Sequence, residues 1–343
     1  MPLTLAAVAI ALFSPPAHAT LQLAKFSRRL GGAPVQAFVV TENGLSPRAS
    51  WIALGPSGYP TPGISVPEMA AAGGAKLAVN ANFYREDKPG AQDPIGLVVR
   101  GGRLLSLPNR FYPSAGVVGG KLEWDNVRVE ASVAVHAADG TKLADEKLCR
   151  IDAPAGGGCA ALWLDGASAP AGALRASGDG AGPALGSSTL AVAGDGAWAL
   201  QLPKPPAFRK SAAKIELRVA LVGERLGGAW SAATEAVSGS HVLMPQGTVP
   251  AITKDWAKAR QPRAFVGVDS KGAPFVAVFD GRRADSLGIS LKEAWAFLHK
   301  QLHAAWALNL DGGGSTTLMF EGRLVNKPSD GYPRAIAVGF GAR

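Results

Sequence analysis

An acid followed by glycines and hydroxyl residues stands near the C-terminus of this chain. Asn309, Leu310 and Asp311 lead into Gly312, Gly313 and Gly314, and then into Ser315, Thr316 and Thr317. Glycines free the backbone and let it approach a ligand closely, and successive N–H groups in such a turn can form an anion-binding concavity. The segment therefore predicts a carboxylate beside an anion cradle, and a glycine-rich hairpin loop is the structural alternative.

A second acid, Asp280, ends the strand predicted at 275–279 and is followed by Gly281 and Arg282. Arginine matches phosphate oxygens with two parallel donors. If the strands before Asp280 and Asp311 are parallel, both carboxylates lie at one edge of a sheet, where open α/β sheets bind ligands. Paired carboxylates are what the cleavage of a glycosidic bond requires, whereas Asp-Gly is also a common turn pair.

The elements that must position these acids follow from the apolar pattern. Ser290 and Glu293 form a capping box that opens a helix, and the apolar stripe from Leu291 to Leu302 has helical spacing. Strand, helix and strand then predict a C-terminal βαβ unit with parallel strands at 275–279 and 306–310 and a right-handed crossover. The fold class that we expect is α+β, a single mixed and twisted β-sheet domain over residues 20–343 with few helices.

Earlier segments are read from the same pattern. We expect strands at 35–40, 51–54 and 77–79, a short helix at 66–73, and hairpins at 95–107, 264–279 and 317–325, with a last strand at 335–340. Residues 120–235 form a variable middle segment of short strands and loops. Within it, residues 165–188 are nearly all small and predict a flexible surface loop or an insertion.

Several motifs in this order resemble the phosphodiester glycosidase family. The strongest likeness covers residues 239–343, with weaker matches from 77 to 107. The motifs that carry it are Asn309 to Leu318, Val325 to Gly331 with Arg334, Pro262 to Asp269, Val278 to Arg282, Gly239 to Leu243, and Asn80 to Tyr84. Two positions depart from the family pattern, because Asn82 replaces a glycine and Val338 stands where an asparagine is usual.

The resemblance implies an exported glycosidase that hydrolyses a sugar-1-phosphodiester bond, on an envelope or extracellular glycan. Bacterial members include proteins with exopolysaccharide roles. The expected catalytic residues are Asp311, then Asp280, and His241, whose imidazole titrates near neutral pH. The expected substrate-binding residues are Asn80, Asn82, Arg263, Arg282, Asn309, Gly312, Gly313, Gly314, Ser315, Thr316 and Arg334. The alternative from another class is a catalytically silent binding protein for anionic envelope polysaccharide.

Composition limits the partners. The chain has 343 residues and a net charge of +9, but its basic residues are scattered, so we expect an anionic glycan and no nucleic acid. His299 and His303 lack the glutamate of the metalloprotease pattern. No loop has the ligand spacing of a dedicated calcium site. We therefore expect no metal ligands and no cofactor, with a bound divalent cation such as calcium left open, as is the oligomeric state.

The N-terminus and the cysteines predict export. An apolar run from Leu3 to Phe13 precedes Ala17-His18-Ala19, which indicates a signal peptide over residues 1–19, a mature N-terminus at Thr20 and no stable membrane insertion. The protein is then periplasmic or secreted. An even cysteine count in an exported chain predicts a disulfide between Cys149 and Cys159, and two free thiols are the alternative.

Overall fold

The computed structural model describes residues 21–43, 49–151, 154–163, 168–177, 182–193, 196–204, 211–244 and 255–343. The predicted signal peptide lies outside these residues. No helix in the described part of the chain is long and apolar enough to cross a membrane.

Strands dominate the chain. The elements before the middle segment are β1 (Leu21–Leu30), β2 (Ala33–Glu42), β3 (Trp51–Leu54), β4 (Ile64–Ser65), α1 (Val66–Gly73), β5 (Leu77–Asn80), β6 (Tyr84–Lys88), β7 (Ala91–Pro94), β8 (Val98–Arg100), β9 (Arg103–Ser106), β10 (Ser114–Val118) and β11 (Lys121–Asp125). The middle segment contains β12 (Val127–Ala137), β13 (Lys142–Ile151), β14 (Ala160–Trp163), β15 (Leu174–Ala176), β16 (Gly186–Ala191), β17 (Trp198–Gln201) and β18 (Ala212–Gly223). The C-terminal elements are β19 (Ala233–Ser238), β20 (His241–Leu243), α2 (Asp255–Lys258), β21 (Arg263–Asp269), β22 (Pro274–Phe279), α3 (Leu291–Leu302), β23 (Ala304–Asn309), β24 (Leu318–Phe320), β25 (Arg323–Leu324), β26 (Ala335–Ile336) and β27 (Gly339–Ala342).

A six-stranded sheet in the order β1-β2-β22-β21-β23-β20 carries the two acids. Strand β21 pairs antiparallel with both β22 and β23, so these two strands run parallel to each other, as predicted. They are not neighbours, however, because β21 lies between them. The βαβ prediction is therefore correct that the two strands are parallel, and wrong in making them neighbours in the sheet.

This sheet is buried on both faces, which explains the continuous apolar runs of its central strands. In β21, Ala264 and Val266 pack into one core, whereas Phe265 packs into the core on the other face. Helix α3 covers that second face with Leu291 and Leu298. The helix begins at the predicted capping box of Ser290 and ends at His303, whose left-handed φ of 49° closes it.

The prediction of a single sheet is wrong. Within the described residues the strands form six sheets, among them the five-stranded sheets β25-β24-β5-β27-β3 and β11-β10-β19-β8-β9. Both contribute side chains such as Val79 and Val237 to the core that the six-stranded sheet covers with one face. The strands divide because one buried face of each sheet must meet another layer.

The middle segment builds a seven-stranded sheet, β15-β17-β14-β13-β12-β18-β16, around a hydrophobic core of its own. Its β15 lies inside the predicted loop at 165–188, and Leu174 and Ala176 are buried there. The loop prediction is thus wrong for this part, because alanines fill core positions that composition alone does not reveal. Cys149 and Cys159 form the predicted disulfide.

Candidate functional site

Two loops meet at Pro262, directly before β21. Arg263 pairs with Phe279 of β22, and Phe265 pairs with Asn309 of β23, so the residues that follow β22 and β23 emerge at the same edge. The N–H of Gly313 donates to the Pro262 carbonyl at 3.0 Å, and a Cβ added to Gly281 would lie 2.6 Å from the Pro262 nitrogen. Asp280 and Asp311 therefore occupy one rim of the sheet, as the strand directions predicted.

The glycine loop uses most of its own N–H groups. Gly312 donates to Asp311 Oδ1 at 2.9 Å, and Ser315 donates to the Gly312 carbonyl at 3.2 Å. Together with the bond from Gly313 to Pro262, these contacts close a short 3-10 turn over Gly313–Ser315. Three of the four N–H groups expected to cradle an anion thus have internal acceptors, so an anion at this site must be held mainly by side chains.

Asp311 is a half-buried carboxylate with an unusual acidity. Burial raises its pKa from 3.8 to about 6, although hydrogen bonds from Ser315 and Gly312 and the positive charge of Arg334 lower it. The Ser315 side chain is itself 2% exposed, so its hydroxyl serves the carboxylate. Asp311 can therefore change its protonation state within the pH range in which proteins commonly work.

Arg334 lies against the glycine loop. Its Nε donates to Asp330 Oδ2 at 3.0 Å, and it also hydrogen-bonds Tyr84. Although burial lowers the pKa of Arg334, these contacts raise it. A Cβ on Gly314 would lie 2.2 Å from the Arg334 guanidinium and 2.3 Å from the Asp330 carboxylate. Glycine is needed at position 314 because this ion pair occupies the space of a side chain.

Arg282 reaches over the same loop from the other side. It has a left-handed φ of 59°, its Nε donates to Gln261 Oε1 at 3.0 Å, and its guanidinium would lie 3.0 Å from a Cβ on Gly313. The side chain is exposed. Arg282 and Arg334 thus place two cations against the loop that begins at Asp311, at Gly313 and at Gly314.

Asp280 is buried, with 2% of its surface exposed, and its carboxylate is occupied by neighbours. Asn326 Nδ2 and the N–H of Lys327 each donate to Asp280 Oδ1 at 3.1 Å. Burial raises the pKa of Asp280, although these bonds lower it. Asn326 also accepts from the N–H of Leu318 at 2.7 Å. Asp280 therefore anchors the segment that continues to Arg334.

The predicted asparagines differ in whether their side chains keep a hydrogen-bonding atom available for a ligand. Asn80 donates to the Asp311 carbonyl at 2.6 Å and accepts from the N–H of Thr317 at 3.1 Å. Asn82 donates to the carbonyls of Ile95 and Leu97, both at 3.2 Å. Both side chains are buried, and their hydrogen bonds go to backbone groups. Among the described residues no partner reaches the buried oxygen Oδ1 of Asn309, which leaves an acceptor beside the site.

The hydroxyl of Thr316, like the Asn309 oxygen, is buried, and within the described ranges no hydrogen-bond partner reaches it. A buried polar atom without a partner is uncommon and calls for a ligand or a water. These two atoms lie on the predicted substrate-binding segment.

An aromatic group borders the site on one side. The His241 ring lies 5.3 Å from that of Trp256, and the Phe83 ring lies 6.4 Å from the same indole. Arg263 lies beneath this group, 3% exposed, and donates to the carbonyls of Ile289 and Trp256 at 2.8 Å. Burial lowers its pKa to about 10. Arg263 thus fixes the backbone at Trp256, which is 40% exposed.

The structure brings Asp311, Arg282, Arg334, Ser315 and the glycines together and places His241 at their border, since it pairs with Asn309. Sequence reasoning missed Asp330 and Trp256. Asp330 belongs to the family-like segment 325–331, and Tyr84 to the family-like motif from Asn80 to Tyr84, which were the available signals, whereas Trp256 acts through contacts that span the fold. Val338, which departs from the family pattern, is fully buried in the hydrophobic core.

No group of three or more His, Cys, Asp or Glu side chains among the described residues could hold a metal ion.

Comparisons with known proteins match part of the chain to one family. Residues 187–343 match the phosphodiester glycosidase family. Bovine N-acetylglucosamine-1-phosphodiester alpha-N-acetylglucosaminidase is 44% identical over 68 residues, which are 20% of this chain and 12% of the bovine protein.

Two solved structures share the fold. A hypothetical protein from Synechocystis aligns with a TM-score of 0.65 at 18% identity, over 93% of this chain and 61% of its own. A protein from Burkholderia pseudomallei, described as exported, aligns with a TM-score of 0.63 at 18% identity, over 91% of this chain and 74% of its own. The family match covers Asp280, the glycine loop and Arg334. Residues 187–343 of this chain are therefore similar to the phosphodiester glycosidase family.

Proposed function

We propose that the protein hydrolyses a sugar-1-phosphodiester and releases the sugar from a phosphate-linked acceptor. The observation that carries this proposal is Asp311, a half-buried carboxylate with a pKa of about 6 that begins the glycine loop between Arg282 and Arg334. The name of the bovine relative, which acts on an N-acetylglucosamine-1-phosphodiester, supports the reaction class.

The chemistry divides between a carboxylate and two cations. The bond between the anomeric carbon and the phosphate oxygen breaks, and the phosphate keeps the electron pair. A phosphate leaving group needs little protonation, so the ionised form of Asp311 is the useful one, as nucleophile or as base toward water. The oxygen of water finally joins the anomeric carbon, and its proton passes to solvent.

Arg282 and Arg334 stabilise the departing phosphate in this proposal. Charge that develops in a transition state is stabilised best by groups already held in place, and Asp330 holds Arg334 through its Nε and Nη2. The buried oxygens of Asn309 and Thr316 would meet sugar hydroxyls. Asp280 and Arg263 act as positioning residues, and His241 lines the border of the site.

The experiment that tests the proposal is hydrolysis of the methyl diester of N-acetylglucosamine 1-phosphate in water labelled with heavy oxygen. Cleavage at the anomeric carbon puts the label on the sugar, and mass spectrometry should find it there. Label on the phosphate would show attack at phosphorus and would contradict a glycosidase.

A silent binding protein for anionic envelope polysaccharide is the second candidate, favoured by the exposed aromatic ring of Trp256 and by Val338 in place of the family's asparagine. Binding without release of sugar would support it. We further propose that the protein is exported to the periplasm or secreted, where envelope or extracellular glycans are its substrates.

A further inference from the structure

A cleft of about 840 Å³ lies beside the β6–β7 hairpin. Its walls are the β6–β7 hairpin, the segment from Leu105 to Tyr112, and the end of β13 at Cys149 to Ile151. The β6–β7 hairpin and the end of β13 in the middle sheet thus both line the cleft. Its volume lies in the range of about 300–1,000 Å³ that is usual for ligand sites.

Two residues, Tyr84 and Phe83, connect the site to residues that line the cleft. Tyr84, which hydrogen-bonds Arg334, pairs with Pro94 at the base of the hairpin, and Pro94 lines the cleft. The Phe83 ring lies between Trp256 and Tyr112, 5.9 Å from the tyrosine ring, and Tyr112 also lines the cleft. A ligand that extends beyond Arg334 along this aromatic border enters the cleft.

Among the described residues that line the cleft, the cations Arg85, Lys88 and Arg150 outnumber the one carboxylate, Asp93. Asp93 forms an ion pair with Arg85, which leaves the charges of Lys88 and Arg150. Both side chains are exposed. Arg110 at the rim adds a further cation, with its guanidinium 4.5 Å from the Phe111 ring.

Aromatic rings accompany these cations. Phe111 is 68% exposed, and Tyr112 beside it is half-buried. Aromatic faces with an open side suit the apolar faces of sugar rings, and arginines suit phosphate oxygens. The combination matches a chain in which sugars and phosphates alternate.

The disulfide belongs to this wall. Cys149 lines the cleft and is bonded to Cys159, which immediately precedes β14. The covalent link fixes the end of β13, and with it Arg150, next to the parallel strand β14.

We propose that this cleft is a binding subsite for the continuing chain of a polymeric substrate, an anionic glycan whose units are joined by sugar-1-phosphodiester bonds. The inference rests on the proposed function for the reacting end, and it assigns the repeat next to the cleaved bond to the cleft. The phosphate of that repeat meets Lys88 and Arg150, and its sugar meets Tyr112 and Phe111.

The test measures binding without turnover. A tetramer of N-acetylglucosamine 1-phosphate units joined by phosphodiesters is titrated calorimetrically into Asp311→Asn protein, and into the same protein with Lys88→Glu and Arg150→Glu. We expect the double reversal to weaken binding at least about tenfold. The matched control reverses Lys121 and Lys147, which are equally exposed and lie outside the cleft lining, and it should bind within about twofold of the parent.

Equal binding by the cleft variant and the control variant would overturn the subsite, as would equal affinity of the parent for uncharged chitotetraose. Because the parent lacks Asp311, these results do not depend on catalysis. A cleft variant that loses binding while the wild type releases no sugar would leave the subsite standing and remove the proposed hydrolysis. Thermal melting of each variant checks that the fold is kept.

Discussion

Burial gives Asp311 an acidity that an exposed aspartate does not have. Its carboxylate remains ionised at neutral pH, but with a pKa of about 6 it is a far stronger base than an exposed carboxylate. Arg334 and the donors from Gly312 and Ser315 keep that pKa from rising further. The residue therefore offers a reactive anion at a pH at which most proteins are stable.

The pH dependence of kcat/KM should report this titration. A phosphodiester substrate keeps one negative charge over the range, so we expect kcat/KM to be level above pH 7 and to fall below the Asp311 pKa of about 6. Steady-state rates between pH 4 and 8 measure the profile. The fall in kcat/KM at acid pH should persist in His241→Gln, because we assign it to Asp311. A profile that instead falls above pH 6 would show that the protonated form of Asp311 is the active one.

Through Asp311, the free energy of unfolding should change with pH in the opposite direction to kcat/KM. Its folded pKa of about 6 exceeds the ordinary value of 3.8, so the unfolded chain loses the proton first and the free energy of unfolding falls as pH rises between these values. Asp311→Asn removes the free-energy cost of ionising this carboxyl group in the folded protein. We expect the variant to be more stable than the wild type by on the order of 2 kcal/mol above pH 6, and equal to it near pH 4.

Urea denaturation at both pH values measures the difference. The matched control is Asp145→Asn, whose exposed carboxylate pairs with Lys142 and which should not gain stability above pH 6. A loss of stability in Asp311→Asn above pH 6 would mean that the carboxylate supports the fold.

At the scale of elements, the end of β22 and the loop after β25 depend on each other through Asn326. This side chain accepts from Leu318 and donates to Asp280 and to the Thr316 carbonyl. One amide thus joins the strand that precedes Arg282 to the segment that carries Arg334.

Asn326→Ala should lower the free energy of unfolding by about 2–3 kcal/mol, because it leaves the buried N–H of Leu318 without a partner and removes one of the donors to the Asp280 carboxylate. It should also lower kcat/KM, since Arg334 loses its anchored segment. Thermal and urea unfolding check the first effect. Asn126→Ala, which removes a single exposed hydrogen bond to Glu224, is the control and should change stability by less than about 0.5 kcal/mol. Similar losses in both variants would contradict the role of Asn326.

The elements also show what the sequence could reveal. The helix at 66–73 and the capping box at Ser290 have local signals, and both are confirmed. The shared edge of Asp280 and Asp311 follows from strand direction, which the intervening helix dictates. The position of β21 between β22 and β23 does not follow, because pairing order depends on contacts between segments distant in the chain.

The same limit applies to the site. The glycines mark the loop, but only the fold shows that the Pro262 carbonyl takes the N–H of Gly313 and that Arg334 and Asp330 fill the space above Gly314. Trp256 has no local signal, and the motif that contains Tyr84 does not reveal its hydrogen bond to Arg334. Asp280 was expected from the sequence to be a catalytic acid, but in the fold its carboxylate accepts hydrogen bonds from Asn326 and Lys327 and anchors their segment.

For the whole molecule, the candidate site and the cleft draw on different parts of the chain. The site lies in the C-terminal half, whereas the cleft is lined by residues from Tyr59 to Pro154, among them Arg150 of the middle segment. The disulfide at that wall is consistent with an oxidising compartment. Export itself, with a mature N-terminus at Thr20, stays a prediction.

The most direct measurement of the central claim is the rate of sugar release from the methyl diester of N-acetylglucosamine 1-phosphate by wild type, Asp311→Asn and Asp145→Asn at pH 7. The account predicts that the wild type and Asp145→Asn release sugar at similar rates. It also predicts that Asp311→Asn, although folded, loses about 10²–10⁴-fold in kcat/KM. Sugar release by Asp311→Asn at the wild-type rate would contradict the assignment of Asp311 as the catalytic carboxylate.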